Sequence, residues 1–199
     1  MADISAADVK ALRSQTGAAM MDAKRALVEA DGEIEKAVEL LRVKGQASAA
    51  KRGDREATEG TVASYIHANG KIGVLVEINC ETDFVALNSD FTDFARDIAL
   101  HIAAAAPQYL SEEDVPAEAI EAEKAIFAEQ SSDKPEEIRE KIAEGRIKKW
   151  LSEIVLLNQP HVNQDKFDGQ TIEQIRTATA AKTGENVVIK RFTRFVVGE

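Results

Sequence analysis

One cysteine, Cys80, stands in 199 residues, so no internal disulfide can form and a reducing compartment is expected. No stretch approaches the roughly 20 apolar residues that a membrane helix needs. The opening MADISAADVK has no basic segment followed by an apolar run, so no secretory signal is expected. Together these absences lead to the expectation of a cytoplasmic protein without a membrane partner. His67, His101 and His161 are scattered, and with a single cysteine they offer no recognisable zinc-ligand spacing. GxxxxGKS/T, GxGxxG after a strand and GxSxG are all missing, which leaves nucleotide cradling and a nucleophile elbow unsupported. Neither a metal nor a cofactor is expected, and no residue is nominated as catalytic.

Positive charge is also short. The formal net charge is −10. Residues 1–55 are nearly neutral, with 10 basic and 9 acidic side chains, whereas 112–144 hold 4 basic against 12 acidic. Residues 145–199 swing back, with 9 basic against 6 acidic. Phosphate backbones are bound by several Lys or Arg side chains acting together. This acidic body argues against direct nucleic-acid binding, and Lys148-Lys149 and Lys190, Arg191, Arg194 read as solvated faces.

What is present reads as α+β. Ser5 with Asp8 forms a capping-box start, and Thr16-Gly17 breaks the first helix. AAMMDAKRALVEA is a second helix ending at Asp31-Gly32, and EIEKAVELLRVKG a third that should close on Gly45. Residues 1–45 are thus expected to be a three-helix docking module with little core of its own. Residues 46–58, small and charged, read as a partly helical linker, and 59–199 as the core domain. TVASYIHA and KIGVLVEINC flank Asn69-Gly70, a hairpin signal. DFTDFARDIALHIAAAA is an amphipathic helix; Pro116 and Pro135 open two more, roughly 116–130 and 135–156, close enough to pair as an antiparallel hairpin. QPHVNQDKFDG reads as a loop, TIEQIRTATAAKT as a helix capped by Gly184, and NVVIKRFTRFVVG as a third strand. A three-stranded antiparallel sheet covered by helices on one face leaves its other face without cover.

Two features are odd. Met20 and Met21 point about 100° apart on a helix, so one should face the core and the other the surface. In EINCETDFVALNSDF, the alternating strand Ile72, Val74, Val76, Ile78, Cys80 runs into Glu81, Thr82, Asp83 and then Phe84. Either Phe84 folds back on the sheet while Asp83 caps the following turn, or the pair is aimed at another molecule. Cys80 reads as a buried small hydrophobe, His67 as a rim residue and His101 as a satisfied packing histidine.

TGAAMMDAKRAL (16–27) and EINCETDFVA (77–86) resemble the two signature segments of the bacterial elongation factor Ts family. The resemblance continues through EGRIKKW (144–150), NQPHV (158–162) and RFVVGE (194–199), so it spans essentially the whole chain. It departs at Leu87, where the family usually has lysine, arginine or asparagine, and at NQPH, where many members read GQPF. The chain has length for one core repeat, as in short forms of the family, and that form implies a homodimer joining two core sheets.

Guanine-nucleotide exchange on the GTPase elongation factor Tu, in its GDP-bound and nucleotide-free states, is what the resemblance implies. Asp83 and Phe84 match the pair that inserts near the partner's Mg²⁺–nucleotide site, flanked by Thr82 and Val85. Leu12, Arg13, Met20, Met21 and Lys24 match residues that dock the N-terminal module. His67 matches a core histidine that contacts the GTPase, and Val162 a position reaching another of its domains. Two rivals remain open at this point. One is a dimeric adaptor that uses its N-terminal bundle, which resembles ubiquitin-associated modules, to bind a different partner. The other is an enzyme pairing His67 with Asp83 as acid and base, which needs a cleft holding both.

Overall fold

In the computed structural model, which describes residues 4–131 and 135–199, the chain is α+β. Its helices and strands follow in the order α1 (Ala6–Thr16), α2 (Met20–Glu29), α3 (Ile34–Ala50), β1 (Glu59–Ile66), β2 (Ile72–Cys80), α4 (Asp83–Ala86) and α5 (Ser89–Ala105). Then come α6 (Ala117–Glu129), α7 (Glu136–Ile154), α8 (Gln164–Phe167), α9 (Ile172–Thr183) and β3 (Val188–Val196). The three strands form one sheet in the order β1-β2-β3. No helix among the described residues is long and apolar enough to cross a membrane.

By its contacts the chain divides into two compact units. One comprises Met1–Thr61, Ile78–Phe94 and Arg176–Val188; the other comprises Val62–Glu77, Ala95–Ile175 and Ile189–Glu199.

In the first unit, Ser5 caps α1 as its sequence demands. Its Oγ accepts the Asp8 N–H at 3.1 Å, and the Asp8 carboxylate accepts the Ser5 N–H in return. Gly17, at φ +70°, ends the helix with its N–H on the Arg13 carbonyl. Val9, Leu12, Ala23, Ala26, Leu27, Ala30 and Ala37 form one buried cluster among α1, α2 and α3. The third helix does not close on Gly45; it runs on to Ala50. That glycine serves close approach rather than termination, because a Cβ there would lie 3.0 Å from the Ala181 Cβ of α9.

The hairpin turn in the second unit follows Asn69-Gly70. Gly70 sits at φ +68°, the His67 N–H bonds the Ile72 carbonyl, and Asn69 Oδ1 accepts the Lys71 N–H. Period-two alternation sorts the sheet cleanly. Val74, Val76, Ile78 and Cys80 are buried on one face of β2, whereas Val62, Ile66, Leu75 and Phe195 stand exposed on the other. Further along, α6 and α7 pack around Ile147, Leu151, Ile154 and Val155, with Phe127 and Trp150 against them. The connection 132–134 lies outside the described residues. The stretch 159–169 is less irregular than its sequence suggests. Asn163 accepts the Lys166 N–H through its side chain and so starts the single turn α8, which Asp168 closes at φ +50°.

Candidate interaction site

The segment after β2 owes its shape to Thr82. This residue is extended (φ −131°, ψ 155°) and accepts the Val85 N–H on its hydroxyl, so it, and not Asp83, is the N-cap of α4. Asp83 becomes the acidic residue of the first turn, exposed beside Phe84. One turn of helix has one inward position, and Ala86 fills it. Phe84 therefore does not fold back on the sheet: it is 83% exposed, with Leu87 84% exposed three residues on and Val85 half-buried. Two large apolar side chains stand free here, one on a one-turn helix and one at its C-cap, a surface shaped for contact.

Beneath this turn lies a set of hydrogen bonds to the end of α9. Glu185 Oε2 accepts the N–H groups of Glu81 and Thr82, both at 3.0 Å, and its Oε1 accepts the Thr82 hydroxyl at 2.6 Å. Reciprocally, Glu81 Oε1 accepts the Asn186 N–H at 2.7 Å. The buried Asn186 amide donates to the carbonyls of Gly53 and Arg55. Cys80, fully buried as its strand position requires, points its thiol at the Thr82 carbonyl, 3.2 Å away. Burial pushes that thiol up to about 11, with the Glu185 charge adding to the shift. Glu185 and Asn186 escaped sequence reasoning, because a Gly-Glu-Asn turn after a helix carries no local sign that a segment about a hundred residues earlier depends on it.

On α2, both methionines are exposed, Met20 at 49% and Met21 at 62%. The expectation that one would face the core fails for a geometric reason. α2 begins at Met20, and its inward stripe is completed by Ala23, Ala26 and Leu27 without either methionine. Lys24 and Val28, one and two turns on from Met20, extend the outward face. Arg13 is exposed in the last turn of α1. Leu12 has no exposed surface, so any part it has in docking is indirect, through holding α1 against α2.

His67 and Val162 belong to the second unit. His67 is exposed just after β1, with Nδ1 3.1 Å from the Tyr65 hydroxyl. Val162, 41% exposed, lies beside Leu100 over a shallow depression completed by Asn163, Gln164 and Asp165. Its backbone rests on two buried imidazoles whose rings are 5.2 Å apart. His101 Nδ1 accepts the Val162 N–H and its Nε2 donates to Gln159 Oε1 at 2.8 Å. His161 Nδ1 accepts the Asn163 N–H and its Nε2 donates to the Asp97 carbonyl. His101 is the satisfied packing histidine its helix suggested. Burial pushes it down to about 4, with the neighbouring His161 adding to the shift; burial lowers His161 as well.

Comparison with known proteins adds an independent line. The family model described as Elongation factor TS matches residues 3–199. The elongation factor Ts of Geobacter sulfurreducens is 54% identical over 198 residues, covering 98% of this chain and 90% of that protein. That of Desulforamulus reducens is 53% identical over 201 residues, covering 100% and 91% respectively. A third, from Carboxydothermus hydrogenoformans, is 54% identical over 193 residues, 96% of this chain and 88% of its own length.

Proposed function

The chain belongs to the elongation factor Ts family, a family of translation elongation factors, and on that premise we propose that it is the guanine-nucleotide exchange factor of elongation factor Tu. The observation that carries the reading is Phe84, 83% exposed at the tip of a turn whose backbone is otherwise tied down. An aromatic side chain gains large apolar burial on docking while only two torsions are frozen. Asp83 beside it brings a carboxylate that rearranges polar contacts near the partner's divalent ion, which loosens the nucleotide's phosphates. Met20, Met21, Lys24 and Arg13 form the second contact, methionine adapting to the partner's surface within a polar rim. His67 and Val162 supply further contacts from the second unit.

Exchange here makes and breaks no covalent bond. The factor binds the nucleotide-free GTPase more tightly than the nucleotide-bound one, and nucleotide weakens the factor's binding by the same ratio. Burying one Phe side chain contributes about 1.5–3 kcal/mol. At about 1.4 kcal/mol per tenfold, that is one to two powers of ten of the mutual weakening.

The uncovered sheet face completes the proposal. Val62, Ile66, Leu75, Phe195 and Val197 are between 47% and 71% exposed in one patch, and the same face of a second copy covers it.

The deciding experiment is release of a fluorescent GDP analogue from elongation factor Tu, alone, with this protein, and with Phe84→Ala. The wild type accelerates release strongly, and the variant loses about one to two powers of ten of that acceleration. Its thermal midpoint stays close to wild type, because so exposed a ring contributes little to the core. No acceleration by the wild type would overturn the exchange reading; a fully active Phe84→Ala would overturn the wedge alone.

A further inference from the structure

We propose that Glu185 is a positioning residue of exchange: it fixes the direction in which Phe84 leaves the surface, and so sets how fast GDP departs once the partner is bound. The inference rests on the exchange reading and adds to it a residue that touches no partner.

Every polar group of Thr82 is engaged. Its N–H and hydroxyl hydrogen end on Glu185, its hydroxyl oxygen accepts the Val85 N–H, and its carbonyl accepts the Cys80 thiol. Thr82 is the residue from which α4 starts, so the carboxylate of Glu185 orients the first helical N–H groups and with them the Cα–Cβ bond of Phe84. A one-turn helix holds no internal bonds sufficient to orient itself. Residue 185 supplies an anchor from outside the turn. Two charge-assisted amide bonds and a short hydroxyl bond to one carboxylate make a rigid mount.

The same short segment also reaches the end of α1. Lys182, on the last turn of α9, pairs with Asp90 at 2.6 Å at the start of α5. Its aliphatic stem crosses Gly17 so closely that a Cβ there would lie 2.6 Å from the Lys182 Cε. Gly17 stands three residues before Met20. Residues 182–186 therefore lie against both the end of α1 and the turn that carries Phe84, with Glu185 at the latter.

A wedge that points wrongly still leaves the methionine contact intact. Loss of Glu185 should then lower the rate of GDP release at saturating factor, while the half-saturating concentration moves little. The test measures both quantities for wild type, Glu185→Gln, Glu185→Ala, Phe84→Ala and the Glu185→Ala/Phe84→Ala double variant. Hydrogen exchange at the Glu81 and Thr82 amides reports whether the mount has opened. Glu185→Ala is expected to lower the saturating rate by about tenfold, no more than the loss of the Phe84 ring itself, and to deprotect those two amides. Glu185→Gln keeps one acceptor oxygen for the amides and a donor for the hydroxyl, so it recovers part of the loss.

The double variant decides between positioning and mere loss of stability. With no aromatic ring left to aim, Glu185→Ala should add almost nothing to Phe84→Ala. A saturating rate unchanged in Glu185→Ala, or lowered equally in both backgrounds, would overturn the proposal and leave the exchange reading standing. A wild type that fails to accelerate release would remove both. Should Glu185→Ala prove poorly folded, Glu185→Gln carries the same comparison alone.

Discussion

His101 and His161 act as paired hydrogen-bond acceptors for consecutive backbone N–H groups, those of Val162 and Asn163. Protonating either Nδ1 would set a donor against a donor, and burial disfavours the charged form of both rings. Above the ordinary imidazole value, folded and unfolded chains both leave His101 neutral, and it contributes no pH dependence. As pH falls below 6.5, the unfolded chain takes up a proton that the folded ring refuses until about pH 4. Stability should therefore drop across that window by something on the order of 3 kcal/mol. Urea unfolding at stepped pH should show a flatter profile for His101→Gln than for the wild type; parallel profiles would exclude His101 as the source. The flanking Asp97–Lys166 pair is common to both proteins. Such pairings were invisible in the sequence, since residues 101 and 161 share no local pattern. By contrast Cys80 was legible, because strand alternation alone decides its face. Of the two readings of Asp83, the one that makes it the cap is off by one position, since Thr82 holds that place. Asp and Thr are both good N-caps, and the choice fell to whichever could also donate to Glu185.

At the level of elements, turn chemistry was the most readable feature. Ser5, Gly17, Asn69-Gly70 and Gly184 each act where their conformational preferences place them. Helix ends without such a signal were less so, and α3 ran past Gly45 because packing against α9 overrode the glycine's weak preference to stop. One glycine in β1 was not singled out at all. Gly60 lies at φ +151°, and a Cβ there would fall 2.2 Å from the Ile78 carbonyl oxygen. β1 and β2 can approach at that point only without a side chain. Gly60→Ala should cost roughly 2–4 kcal/mol, combining a disfavoured backbone with a direct clash. Chemical denaturation would measure it, and a loss under about 0.5 kcal/mol, the range of neutral surface changes, would mean that the strands can separate locally without penalty.

For the whole molecule, the exposed sheet face matters most. Its apolar side chains are rimmed by the Arg191–Glu77 pair, 2.7 Å apart, which links β3 to β2 at the patch edge. That arrangement of apolar centre and charged rim is what an isologous interface requires. In the proposed dimer, Leu75→Glu or Phe195→Glu would set one carboxylate near its own copy across the two-fold axis. Either should weaken self-association by about a hundredfold or more. Sedimentation over a concentration series would show it, and a wild type that remains monomeric at high concentration would exclude the sheet-to-sheet dimer. The α+β class was legible from alternation and periodicity. The two-unit arrangement was not, since each unit is assembled from three separate stretches of chain.

That assembly sets an order in time. The carboxylate that mounts α4 lies 103 residues downstream of Thr82. At about 5–20 residues per second, synthesis of the intervening chain takes on the order of ten seconds. Throughout that interval Phe84 has been made while the acceptor of the Thr82 N–H has not. A nascent or prematurely terminated chain can thus carry the aromatic ring without the carboxylate that Thr82 bonds, and only a chain extended through Glu185 can form those hydrogen bonds.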